Sequence, residues 1–185
     1  MSKGNSHLFV GTMGSKLETF TNQKNNLSSK KNITKIKKTQ VEINKKIKSW
    51  AKSIIKTMSP KEKHLFNTAS IAFDKKTKKC YYGRNGGYKA IGYIKNPQLF
   101  GPKGLLPRSS YNKFPLGNCA EVDAINQALN DGAKLEDLLI TTIHTTKNKF
   151  GQYKVACENC KHTFKYKISE NFSGWIGEEQ DDSKK

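Results

Sequence analysis

Arginine is almost missing from this chain. Arg84 and Arg108 are the only two among 185 residues, and lysine supplies the rest of the 34 basic side chains. Acids are few as well: 15 Asp and Glu leave a formal charge of +19 at pH 7. A positive excess of that size points to a polyanionic partner, nucleic acid ahead of an anionic membrane surface. The plain alternative is a lysine-rich surface that only solvates the fold. The shortage of arginine, the sharper phosphate ligand, keeps that alternative open. No run approaches the roughly 18 apolar residues of a membrane-spanning helix. The N-terminus also lacks the charged, apolar and small-residue order of a signal peptide. The expectation is a chain with no address of its own, exported, if at all, by a partner machine or an upstream region. Four cysteines in a chain of this length do not make a disulfide framework. Hydrophobic residues reach only 35%, which predicts that part of the chain is extended rather than packed.

What is present suits one domain of ordinary size plus an extension. Residues 1–31, rich in Gly, Ser, Asn and Lys, read as a flexible leader. Residues 32–66 read as a basic helical extension. Ile36, Ile43 and Trp50 fall seven apart, and so do Gln40, Ile47 and Ile54, making one stripe among many lysines. Such a helix docks its stripe on the main domain and exposes its lysines, lies on a membrane, or simply packs as a solvated helix. Ser59-Pro60 ends it and starts a short helix to Phe66. Residues 67–170 form the main domain. It opens with a hairpin, strands Thr68–Phe73 and Lys79–Gly83 around a charged turn. Leu138–Ile143 is apolar enough for a central strand covered on both faces. Phe164–Ile168 reads as a last short strand, and residues 171–185 as a frayed polar tail.

Chemistry concentrates between Gly117 and Cys160. Cys119-Ala120-Glu121 opens a helix for which Asn118 is the expected N-cap, and Cys157-Glu158-Asn159-Cys160 follows the buried strand and opens a second helix. Three thiolates, Cys119, Cys157 and Cys160, suit zinc. A structural zinc takes four protein ligands, whereas a catalytic one takes three and keeps a position for water. Three cysteines with one nearby carboxylate therefore predict one catalytic Zn2+, with Glu121 as the acid and base that moves the water's proton. His162, two residues after Cys160, offers the competing Cys3His structural site. His144 on the buried strand reads as a core histidine.

The Cys-Ala-Glu helix, buried strand and Cys-x-x-Cys together resemble the zinc-dependent cytidine deaminase superfamily. Cys119–Leu129, Ala69–Asp74 and Tyr81–Gly87 look like the YwqJ-like deaminases, toxin domains of bacterial polymorphic-toxin systems. The resemblance covers about half the chain, from Asn67 to Phe164. It implies an α/β fold, a cytidine-deaminase-like mixed β-sheet flanked by helices. It implies that Glu121 passes the proton to the ring nitrogen and leaving amine, and that Asn85 and Ala120 touch substrate. For Asn85, a turn residue before Gly86 is the other reading. It also implies a secreted C-terminal effector acting in a target cell's cytoplasm, with an immunity protein that is expected to be acidic. Ala156 departs from the pattern, standing where the superfamily has proline before the cysteine pair.

The long loop from Gly86 to Gly117 interleaves basic and aromatic residues and runs into Cys119. Lys89, Arg108, Tyr111 and Lys113 are the expected nucleic-acid contacts, with bases stacking on aromatics and lysines on phosphates. The other reading makes most of the loop aromatics a cover for the sheet. The expected reaction is cytosine to uracil in nucleic acid, DNA ahead of RNA. A free cytidine deaminase, an adenine-in-RNA deaminase and a zinc-stabilised nucleic-acid-binding module are the alternatives.

Overall fold

A computed structural model of the chain describes residues 14–178. The chain divides into two units, Met1–Thr39 and Gln40–Lys185. Helix α1 spans Gly14–Thr57. Residues 14–31, expected to be a flexible leader, are therefore helical, and residues 1–13 lie outside the described residues. No glycine or proline occurs between Ser15 and Ser59, so nothing in the backbone interrupts the helix. In the second unit Ile43, Ile47 and Ala51 form its buried face, four residues apart as helical packing requires. Gln40, the polar member of the expected stripe, hydrogen-bonds through its side chain to the Tyr153 hydroxyl at 3.2 Å, as Asn44 does at 2.6 Å.

Helix α2 (Pro60–Leu65) follows, capped by Ser59, with Glu62 returning a hydrogen bond to the Ser59 N–H. Strands β1 (Thr68–Asp74) and β2 (Cys80–Arg84) form the antiparallel hairpin. After the long loop come α3 (Ala120–Asn130), β3 (Leu138–His144), α4 (Glu158–Phe164) and β4 (Glu170–Asn171). The sheet order is β2-β1-β3-β4, with β3 antiparallel to β1 and parallel to β4. The fold is thus mixed α/β, with β3 inside the sheet and its first six residues buried.

Side chains alternate between the two faces. Ala69, Ile71 and Phe73 join Leu139 and Ile143 under α1. Ala72, Leu138 and Ile140 join Val122 and Ile125 of α3 and Phe164 of α4. Gly83 lets α3 lie close on β2, because a Cβ there would stand 2.2 Å from the Ala120 carbonyl oxygen.

Two expectations at the C-terminal end fail. Phe164–Ile168 is the end of α4 and a turn, not a strand. Cys160, Phe164 and Ile168 are all buried at a spacing of four, while Tyr166, which strand alternation would bury, is 88% exposed. Residues 171–178 are packed rather than frayed. The Phe172 N–H donates to the Ile140 carbonyl at 3.0 Å, the Ser173 hydroxyl to the Thr142 carbonyl at 2.9 Å, and Trp175 is buried. Residues 179–185 lie outside the described residues.

Candidate metal centre and its cavity

Helix starts and one turn bring the cysteines together. Cys119 is itself the N-cap of α3, in place of the expected Asn118, and Cys157 is the N-cap of α4. Cys160 lies within the first turn of α4 and is fully buried. The three sulfurs lie within 4.8 Å of one another, and Cys119 Sγ is 3.3 Å from Cys157 Sγ. A tetrahedral zinc holds sulfur at about 2.3 Å and so sets sulfur pairs roughly 3.8 Å apart. The cluster fits that donor set and can hold a metal ion. His162 is not part of it. Its ring instead lies exposed beside Tyr111, with centroids 4.9 Å apart.

The thiols share their protons unequally. Hydrogen bonds from Cys119 and Cys160, with the backbone N–H groups of Cys160 and Asn159, favour the Cys157 thiolate and hold its pKa far below the thiol range. Cys119 and Cys160 are pushed up, chiefly by donating to their neighbours. Metal binding would take the protons from all three.

Glu121 sits in the first turn of α3, fully buried, and opens with Cys119 and Cys157 onto a cavity of about 160 Å³. Burial first, then the Cys157 charge, lift its carboxyl up to about 7. Its own backbone, Lys154 and the Thr142 hydroxyl act in the opposite sense. Lys154 is a cavity residue that the sequence pattern does not single out. Its N–H donates to the Thr142 carbonyl at 2.9 Å, which places the chain beside β3. Its ammonium reaches the Thr68 hydroxyl at the cavity wall. A lysine three residues before Cys157 carries no signal in a chain so rich in lysine. Asp123, the other first-turn acid of α3, faces elsewhere: it accepts the Arg84 N–H at 2.9 Å, against Gly87.

Ala120 and Asn85 both line the cavity. As the first residue of α3, Ala120 has an N–H with no partner inside the helix. The Asn85 oxygen accepts the N–H groups of Asn67 and Thr68, both at 3.0 Å, and its amide donates to the Leu65 carbonyl at 2.8 Å. Asn85 thus fastens the end of α2 to the sheet and keeps one amide hydrogen in hand. The left-handed residue of that turn is Gly86, at φ +75°.

The four expected nucleic-acid contacts are dispersed. Lys89 lines a neighbouring chamber, and the Lys113 ammonium lies 5.6 Å from the centre of the Phe114 ring, which walls the cavity. Arg108 borders a separate cavity beside Leu99 and Pro107. Tyr111 is tied to α4, its N–H donating to Asn159 Oδ1 at 2.8 Å.

Ala156 has a structural account. Its N–H donates to the Gly174 carbonyl, and its own carbonyl accepts the Ile176 N–H, both at 3.0 Å. Proline could not make the first of these bonds, so the segment before the cysteine pair is held by pairing with residues 174–176. Among the described residues, no helix is long and apolar enough to cross a membrane. No family model, curated protein or solved structure matches the chain.

Proposed function

We propose that this chain is a zinc-dependent hydrolytic deaminase that converts cytosine to uracil in nucleic acid. The observation that carries the proposal is a buried carboxyl, Glu121, sharing one small cavity with Cys119 and Cys157, two members of a three-cysteine cluster. Cys119, Cys157 and Cys160 would hold the metal. Zinc, when bound, acidifies a coordinated water and so supplies a nucleophile near neutral pH. The chain's part is proton traffic and positioning. Glu121 has a pKa lifted to about 7 by burial. From its place beside the cysteines it would take a proton from the attacking water and return it to the ring nitrogen and leaving amine. The reaction balances as cytosine plus water giving uracil plus ammonia. The Ala120 N–H and the spare Asn85 amide hydrogen are the positioning donors for the substrate.

The charge of +19 supports a polymeric substrate. The resemblance to YwqJ-like toxin domains, a cytidine-deaminase-like sheet among them, supports an effector delivered into a target cell. The same resemblance supports an acidic immunity protein as its antagonist.

Uracil formation tests the proposal. Zinc-loaded protein is incubated with single-stranded DNA, duplex DNA, RNA and free cytidine, alongside Glu121→Ala. Loss of a general acid and base costs about 10²–10⁴-fold in rate. C-to-U change in a polymer, reduced by that factor in a folded, zinc-loaded Glu121→Ala protein, is the expected result. Conversion of cytidine alone would establish the monomer enzyme instead. Silence on every substrate, with oligonucleotide binding unaffected by Glu121→Ala, would leave a zinc-stabilised binding module.

A further inference from the structure

The cavity at Glu121 has a neighbour. A second chamber of about 480 Å³ adjoins it, and the two share Asn67, Asn85, Phe114 and Asn118 as walls. The inner chamber, about 160 Å³, is smaller than the roughly 300–1,000 Å³ usual for a small-molecule site. It suits a single planar ring, with everything attached to that ring left outside.

The outer chamber has the chemistry of a nucleotide neighbour. Lys89, Arg84 and His64 line it. Its one acid, Glu62, is occupied by the Ser59 N–H at 2.8 Å and the Ser59 hydroxyl at 2.7 Å. Two apolar side chains stand open there, Leu65 at 60% and Phe114 at 51% exposure. The Lys113 ammonium beside the Phe114 ring adds charge at the same wall. An exposed aromatic side chain near lysine ammonium groups is how proteins hold single strands, stacking a base and pairing its phosphate. The wall is tied to the sheet where the Asn85 amide donates to the Leu65 carbonyl at the end of α2.

We propose that this outer chamber is a subsite for the nucleotide adjoining the target base, with Phe114 stacking its base and Lys89 meeting its phosphate. The substrate class is then a single-stranded polynucleotide rather than free cytidine or an intact duplex, since both bases must be unpaired. The inference rests on the deaminase reading above and narrows it.

Binding to the Glu121→Ala protein tests it without turnover. Labelled single-stranded DNA and RNA oligonucleotides with one cytosine, and the corresponding duplex, are titrated by anisotropy at several salt concentrations. Phe114→Ala in that background is expected to weaken single-strand affinity by about tenfold or more. Lys89→Ala is expected to reduce the salt slope by about 0.7, one phosphate contact on a single strand. Lys134→Ala, the same loss of charge beyond the opposite end of α3, is expected to leave the slope unchanged. The DNA and RNA arms report which backbone is preferred. The subsite is overturned if Phe114→Ala binds as its parent does, if Lys134→Ala matches Lys89→Ala, or if duplex binds as tightly as single strand. Uracil formation in polymers together with any of these results would leave the deaminase reading standing without the subsite. Binding that depends on Phe114 and Lys89, with no uracil from any substrate, would keep the single-strand groove and remove the deaminase.

Discussion

The two faces of the sheet come from alternate residues of the same strands, yet they carry different work. Under α1, β1 and β3 present Ala69, Ile71, Phe73, Leu139 and Ile143, a dry layer closed by Ile43, Ile47 and Ala51. Toward α3 the same strands present Thr68, Ser70 and Thr142. The Ser70 and Thr142 hydroxyls lie 3.0 Å apart, and Thr142 faces the Glu121 carboxyl. Strand periodicity couples the faces: both are buried, so a slip of one residue would turn the hydroxyls under α1 and the apolar set toward α3 and the cysteines. The apolar face therefore fixes the register, and the register decides which polar groups lie beside the cysteines. Packing on one side positions chemistry on the other.

The sharpest way to break that division of labour is to damage the dry face alone. Ile47 is fully buried, and Ile47→Ala leaves a cavity between α1 and the sheet. A loss of about 2–5 kcal/mol is expected in urea denaturation, while zinc content and turnover per folded molecule stay unchanged. Glu121→Ala gives the other half, with turnover lost while the protein stays folded and zinc-loaded. If Ile47→Ala lowers zinc content in the protein that remains folded, the faces are not separable in this way and α1 belongs to the metal centre.

The sequence makes one kind of information plain and hides another. Cys-x-Glu and Cys-x-x-Cys are local spacings, so the cluster and its acid are legible before any fold is known. The hairpin, the capped start of α2 and the run Leu138–Ile143 are legible for the same reason. Phe164–Ile168 misleads because its residues satisfy two periods at once, and only packing on Cys160 selects the helical one. Trp175 sits in a polar setting, and its burial follows from the bridge to Ala156, which no local pattern announces. Lys154 and the outer chamber are invisible for a further reason. The outer chamber exists only where residues 58–67, 84–89 and 114–118 converge through the tertiary fold, and Lys154 reaches the inner cavity only because its segment pairs with β3.

A smaller perturbation addresses how α3, which carries Glu121, is held to the sheet. At Gly83 a Cβ would meet the Ala120 carbonyl oxygen at 2.2 Å and the Ala124 nitrogen at 2.4 Å, both backbone atoms of α3. Gly83→Ala must therefore push the start of α3 away from β2, at a cost of about 1–3 kcal/mol. Unlike Ile47→Ala, it should also lower turnover per folded molecule, because Cys119 and Glu121 ride on that first turn. Stability and zinc-normalised activity measured together check this. A stability loss with full activity would mean that β2 moves instead of α3, and the start of α3 would then be anchored by the metal centre rather than by the sheet.

The smallest effect expected is at Ser59, the cap of α2, whose Glu62, His64 and Leu65 line the outer chamber. Helix α2 has six residues and buries none of them, so its order rests on the cap and on the bond from Asn85 to Leu65. Ser59→Ala removes the hydroxyl that accepts the Glu62 N–H and that hydrogen-bonds the Glu62 carboxylate at 2.7 Å. A cap loss costs about 1 kcal/mol. Because α2 adds nothing to the core, the cost should appear as local opening, with little change in the global unfolding midpoint. Amide exchange reports this directly. The Phe66 N–H, bonded to the Glu62 carbonyl at 2.9 Å, should exchange faster in Ser59→Ala, while amides of β3 keep their protection. Equal acceleration at both places would mean that α2 opens only with the whole domain. The wall would then be as rigid as the dry face, although it buries nothing. The Asn85 amide, not the cap, would be what holds it.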